Sequence, residues 1–155
     1  MERDRPTLSA SLEDYLEAIY HIEDRKQAAR AKDIAVRLDV RGASVTGALQ
    51  ALAKRKLINY APYDVITLTH RGRHLARGVV SRHQALHKFF VDVLDVDSEV
   101  AEKAACRMEH SLPRGIFERL IGFVEYLAEV PDEEGKKLIE SFKSQWMEKG
   151  NSPDF

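Results

Sequence analysis

The stretch KDIAVRLDVRGASVTGALQALAKRK, residues 32–56, decides the fold. Ile34 and Leu38 are four apart, which puts them on one face of a short helix over Lys32–Leu38. Asp39-Val40-Arg41-Gly42 follows as a turn, since Asp and Gly accept the backbone of a tight reversal. From Ala43 to Lys56 the residues Val45, Ala48, Leu49 and Leu52 recur at helical spacing and point inward. Two helices joined by so short a turn read as a helix-turn-helix.

The flanks extend this unit. Upstream, Leu12, Tyr15, Leu16, Ile19 and Tyr20 predict an amphipathic helix from Ser11 to about Glu23, and Arg25–Arg30 is a polar connection. Downstream, Leu57–Tyr60 and Val65–Leu68 predict a two-stranded hairpin around Ala61-Pro62-Tyr63-Asp64. Helix, short helix, turn, helix, hairpin is the order of a winged helix-turn-helix.

Thr69 then caps a long helix, about His70–Val93, with Leu75, Val79, Leu86 and Phe90 in register. Asp97-Ser98 opens another that runs to Ser111 before Pro113 stops it. Ile116–Ala128 and Glu133–Met147 are apolar-faced helices separated by a break at Pro131-Asp132, and Lys149–Phe155 reads as a frayed tail. The division expected is residues 1–77, a DNA-binding domain; 78–148, a second, all-helical domain; and 149–155, the tail.

The chain has 155 residues, enough for a real core, and no run of 18 apolar residues that would span a membrane. Met1–Ser11 is polar and lacks the apolar core of a secretion signal, and a lone Cys106 permits no internal disulfide. A cytoplasmic protein is expected. The net charge of −1 conceals an asymmetry: Arg25–Lys88 holds 14 Lys and Arg against three acids, and the remainder is strongly acidic. A basic block on a helix-turn-helix predicts contact with a polyanion.

No aromatic-rich stacking surface accompanies it, so double-stranded DNA is the expected partner. The Ala43–Lys56 helix would enter the major groove with Arg41, Ala43, Ser44, Thr46 and Gly47 at its exposed start. Arg41 is the foremost base-reading candidate because a guanidinium pairs bidentately with guanine. Ser44 and Thr46 reach bases or phosphates. Arg30, Lys32, Lys54, Arg55 and Lys56 are expected on phosphates, and Tyr63 at the hairpin tip on the backbone.

Three further clusters carry chemistry: Asp14 with Glu17, His83 with His87, and Glu102-x₃-Cys106-x₂-Glu109-His110. Each has i, i+3 or i, i+4 spacing, so each presents its side chains on one helix face. The mixed oxygen, nitrogen and sulfur donors suit Mn²⁺, Fe²⁺, Co²⁺ or Zn²⁺ and not Ca²⁺ or Mg²⁺. Taken singly, each cluster has a plainer explanation. Ser11-x-x-Asp14 matches a capping box, an isolated Cys106 matches a buried small hydrophobe, and His83 and His87 match surface residues.

The run Leu12-Glu13-Asp14-Tyr15-Leu16-Glu17-Ala18-Ile19-Tyr20, the helix-turn-helix, Arg82-His83, and Cys106-Arg107-Met108-Glu109-His110 together resemble the diphtheria-toxin repressor family of iron-dependent repressors and manganese-transport regulators. The resemblance covers about residues 10 to 130. It implies a mainly α fold in which a winged helix-turn-helix domain precedes an all-helical dimerisation and metal-binding domain, without the SH3-like domain of longer members. It also implies a homodimer that binds palindromic operator DNA when a divalent metal is present. By position, Asp14, Cys106, Glu109 and His110 match the family's DNA-activating site, and Glu17 and His83 match holders of a second metal in the manganese branch. His83, His87 and Glu102 fall where the iron branch places ancillary ligands. Asp14 stands where iron repressors resemble one another in carrying methionine, and Cys106 where manganese regulators carry glutamate. The expected cofactor is therefore Fe²⁺ or Mn²⁺, with the thiolate leaning toward Fe²⁺; Zn²⁺, Co²⁺ or Ni²⁺ would substitute in vitro.

The expected function is metal-dependent repression of operator DNA in metal homeostasis, with no organic cofactor. The apolar helices Ile116–Ala128 and Glu133–Met147 offer dimer surfaces. A rival reading is a winged-helix regulator that answers to a small organic ligand or to Cys106 oxidation. A metal-dependent hydrolase fits less well, because no separate general base or substrate motif accompanies the donors. The chain is expected not to be an enzyme.

Overall fold

The computed structural model describes residues 8–60, 65–129 and 132–149. The predicted contact of Tyr63, the Pro131 break, the first seven residues and the tail beyond Lys149 lie outside the described residues. Two compact units divide the chain, Met1–Val80 and Ser81–Phe155.

In the first unit, α1 (Ala10–Lys26) is capped by Ser9, whose hydroxyl accepts from Leu12 N at 3.4 Å. Ser11 is therefore inside the helix, and the capping-box explanation of Asp14 falls: the cap lies two residues earlier. Gln27 ends α1 in the left-handed region, φ 66°, donating its N–H to Glu23 O. The helix turns Leu16 and Ile19 wholly inward, with Tyr15, Ala18 and Ile22 beside them. α2 (Ala31–Leu38) ends at Asp39, φ 51°, and α3 (Gly42–Lys54) begins after Arg41, an extended N-cap. Both helices fall close to the predicted spans, although α3 stops two residues early. Lys56 takes φ 57° there and turns the chain into the hairpin. Val45, Leu49 and Leu52 are fully buried as their spacing predicts. Trimming one such residue to alanine costs roughly 2–5 kcal/mol.

The hairpin is short: β1 (Ile58–Asn59) pairs antiparallel with β2 (Thr67–Leu68), Ile58 opposite Leu68 and Asn59 opposite Thr67. Its base is tied to the connection between α1 and α2 by reciprocal bonds of Ala29 and Ile66 at 2.9 and 2.8 Å. Sequence reading missed the residue that locks this corner. Glu23 is buried, accepting from Leu68 N at 2.8 Å through Oε1 and from Arg73 Nη2 at 2.7 Å through Oε2. Thr69 caps the next helix through Gly72 N, and Thr69 N donates to Leu57 O at 3.0 Å. Gly72 packs directly on the Leu57 carbonyl, in space that a Cβ would fill.

α4 (His70–Lys88) continues as a π turn over Phe89–Val93, so the predicted span holds but its last turn is wider. In the second unit, Asp97 caps α5 (Ser98–Met108) by accepting from Glu99 N and Val100 N. α5 ends at Met108, three residues before the predicted Ser111, with Glu109 as its C-cap. α6 (Arg114–Glu129) and α7 (Asp132–Glu148) follow. Leu86, Ala105 and Phe117 form the buried centre of this unit.

Candidate functional site

The second unit gathers four of the predicted donors. α4 supplies His83, α5 supplies Glu102, and the C-cap and turn after α5 supply Glu109 and His110, which therefore do not continue the helix face of Cys106. His83 bridges two carboxylates: Nδ1 lies 2.8 Å from Glu109 Oε2, and Nε2 lies 3.0 Å from Glu102 Oε2. His110 Nε2 stands 3.1 Å from Glu109 Oε1. His87, one turn after His83, reaches Ser98 Oγ at 3.3 Å and lies 4.0 Å from Glu102.

Glu109 is the centre of this arrangement. Its side chain has no solvent exposure, whereas that of Glu102 is 62% exposed. A wholly buried carboxylate is expensive unless positive charge or donors surround it. Glu109 Oε2 is satisfied by His83. Oε1 has no aligned hydrogen-bond donor among the described residues, despite the nearby His110 nitrogen.

The hydrogen bond to Glu109 is the largest influence on His83. Joined by that to Glu102 and by both negative charges, it outweighs the loss of hydration and lifts the imidazole from 6.5 to about 9. Near neutral pH, His83 therefore carries a proton on each nitrogen and donates both. That proton is the cation that holds the two carboxylates together.

A divalent cation suits the same donors. A buried carboxylate oxygen without a donor, beside two imidazoles and a second carboxylate, is a hard and borderline ligand set that the ions of the manganese-to-zinc series accept. Cys106 lies on α5 one turn after Glu102, with an exposed side chain, contrary to the buried-hydrophobe alternative. Asp14 and Glu17 are half-buried on α1, in the first unit, where Glu17 Oε1 lies 3.4 Å from His21 Nε2.

The first unit also presents the predicted reading face. Arg41, Ala43, Ser44, Thr46 and Gly47 are all exposed around the start of α3. Thr46 Oγ1 donates to Gly42 O at 3.2 Å, a local bond that a base or phosphate acceptor can replace. Gln50, one turn beyond Thr46, is exposed on the same helix and was missed. Its signal was the i, i+4 spacing, and its amide is suited to adenine. Arg30, Lys32, Lys54 and Arg55 are exposed. Lys26 is held by Asp33 at 2.9 Å, and that hydrogen bond lowers the Asp33 carboxyl below its ordinary value.

On α6 and α7, Ile116, Phe123, Tyr126, Leu138, Phe142 and Trp146 are exposed, an unusual density of large apolar side chains.

Comparison with known proteins gives a consistent set of matches. The model "Iron dependent repressor, N-terminal DNA binding domain" matches residues 7–66, and "Iron dependent repressor, metal binding and dimerisation domain" matches residues 69–138. An uncharacterized HTH-type transcriptional regulator of Methanocaldococcus jannaschii is 35% identical over 119 residues, which cover 76% of this chain and 95% of that protein. The HTH-type transcriptional regulator MntR of Bacillus subtilis is 33% identical over 135 residues, 87% of this chain and 93% of that protein. Among solved structures, that of the manganese regulator SloR aligns with a TM-score of 0.66 at 26% identity, over 77% of this chain and 55% of that chain. The chain thus spans nearly the whole of these curated relatives but about half of the solved one.

Proposed function

This chain belongs to the iron-dependent repressor family, and on that premise we propose that it is a divalent-metal-responsive transcriptional repressor. It binds palindromic double-stranded operator DNA as a homodimer when Mn²⁺ or Fe²⁺ is bound, and it acts by binding and not by catalysis. The reader is residues 1–77, the metal-binding and dimerisation part 78–148, and the tail 149–155. The work is done in the cytoplasm, and no helix of the described residues is long and apolar enough to cross a membrane.

The observation that carries the metal assignment is buried Glu109, with one oxygen on His83 and the other without an aligned donor. Glu109, His83 and His110 form the proposed centre of the metal site. Cys106, Asp14 and Glu17 belong to it on the strength of the family pattern, and Glu102 and His87 serve as ancillary ligands. A bound divalent ion supplies a compact positive charge that neutralises these carboxylates. His83 would give up a proton to join the ligand set. Arg41, Ser44 and Thr46, with Ala43 between them, read bases, while Arg30, Lys32, Lys54 and Arg55 hold phosphates. The exposed apolar side chains of α6 and α7 suit a dimer surface.

Without metal, the reader domains sample many arrangements. Metal favours those that match successive major grooves, about 34 Å apart on a palindrome. A coupling of roughly 1–3 kcal/mol changes operator affinity about 5–150-fold. The test is a fluorescence-anisotropy titration of operator-containing DNA with metal-free protein, adding Mn²⁺ or anaerobic Fe²⁺. Activation by either ion is expected. Tight binding without metal, unchanged by chelator, would overturn the proposal and favour control through Cys106 oxidation or an organic ligand.

A further inference from the structure

Behind the C-terminal end of α3 the first unit holds a second polar feature. A pocket of about 300 Å³ is lined by Lys54, Arg55, Lys56 and Arg71 over a floor of Leu8, Leu57 and Leu75. Among the described residues no acidic side chain lines it. None of the four cations makes an ion pair among the described residues. Its walls are fixed, because Thr69 Oγ1 donates to Lys56 O at 2.9 Å and Thr69 N to Leu57 O at 3.0 Å. These bonds clamp the first turn of α4 onto residues 56–57 and bring Arg71 to the other three cations.

Two simpler explanations account for part of this cluster. Cations near the end of α3 complement the negative end of that helix, which covers Lys54 and Arg55. Arg71 has the opposite placement. It stands in the first turn of α4, which contains no acid, where the helix dipole opposes positive charge. The second explanation, contact with the groove that Arg41 enters, meets a length limit. α3 has 13 residues and is about 20 Å long, so residues 54–56 stand about 20 Å along it from Arg41 and cannot share its base contacts. Arg71 belongs to α4, outside the helix that enters the groove.

We propose that this pocket is a phosphate-binding site, separate from the base-reading end of α3, in which the four cations hold phosphate oxygens and the leucines pack the carbon-rich part of a phosphate ester. The phosphate comes either from a small free phosphate compound or from a DNA backbone segment outside the groove that Arg41 reads. Only the second source rests on the operator-binding reading.

The experiment has two arms, both on the full chain. The first titrates sodium pyrophosphate into ¹⁵N-labelled protein, with Arg71→Gln and, as an exposed cation outside the pocket, Arg77→Gln for comparison. Saturable shifts at Lys54–Leu57 and Arg71–Arg73 are expected. Arg71→Gln should weaken binding roughly ten- to a hundredfold, the range for one lost hydrogen bond to a charged group, while Arg77→Gln changes it little. The second arm measures operator affinity against salt with metal present. A slope of log K on log salt that is smaller by about 1 in Arg71→Gln, with Arg77→Gln unchanged, identifies DNA as the source. An unchanged slope with pyrophosphate binding intact identifies a free phosphate compound. The site does not exist if pyrophosphate fails to saturate and Arg71→Gln also leaves the slope unchanged, or if both variants lose the same amount. A protein with no metal-activated operator binding leaves the first arm readable, so the two proposals fail separately.

Discussion

Replacing Glu109 by glutamine keeps the shape of the side chain and removes the charge that dominates His83. In the wild-type protein that imidazole is raised from 6.5 to about 9. At about 1.4 kcal/mol per pH unit, the difference corresponds to at most about 3.5 kcal/mol in favour of the protonated folded state. Part of it comes from Glu102, which is 62% exposed and screened by water, so roughly 1.5–3 kcal/mol is the defensible range. A folded-state value above the unfolded one makes this stabilisation fully present below about pH 6.5 and lost as pH rises through about 9. Metal-free wild-type protein should therefore lose stability across that window, while Glu109→Gln should lose far less. Urea unfolding in the presence of chelator at several pH values reads this directly, and imidazole NMR reads His83 itself. In Glu109→Gln the His83 midpoint should fall to within about one pH unit of its ordinary value. Because a metal must displace the His83 proton, Mn²⁺ affinity of the wild type should climb by up to about tenfold per pH unit from pH 7 to 9. A wild-type His83 that titrates near 6.5, or one that Glu109→Gln leaves unmoved, would refute the account of this cluster.

Asp14→Ala should abolish metal-activated operator binding while leaving the thermal unfolding of metal-free protein nearly unchanged. A full metal response in anisotropy would remove Asp14 from the ligand set. Arg41→Ala should reduce the preference for operator over random DNA by roughly 1–3 kcal/mol, measured as a ratio of affinities at fixed salt. An unaltered ratio would leave Arg41 as a phosphate contact only. Gly72→Ala would drive its new methyl into the Leu57 carbonyl, and backbone there cannot yield cheaply. Denaturant unfolding should show a loss of about 2 kcal/mol or more, and a neutral result would mean that the first turn of α4 shifts freely.

The helix-turn-helix was legible because its determinants are local. Ile34 and Leu38, or Val45, Leu49 and Leu52, lie within one or two turns, and 3.6-residue periodicity alone says which way they face. The same holds for the donor pairs Asp14–Glu17 and His83–His87, each on one helix face, whereas Glu109 and His110 lie past the end of α5 and not on one face with exposed Cys106. Other features depended on contacts between residues remote in the chain. Glu23 reads as the charged end of an amphipathic helix, yet it is buried because Leu68 N and Arg73, 45 and 50 residues later, supply its donors. The π turn at Phe89 and the early end of α5 were likewise invisible, because periodicity does not distinguish one extra residue in the last turn. Residues 54–56 and Arg71 are 15 or more positions apart, and the bonds of Thr69 make them one pocket. Chain order alone determined that Glu109 and His83 carry donor atoms of the right kind. Only the packing of α4 against the end of α5 decided that one would be a carboxylate with no solvent exposure and the other an imidazolium beside it. Burial and protonation are set by all the neighbours that replace water around a group, and those neighbours come from anywhere along the chain.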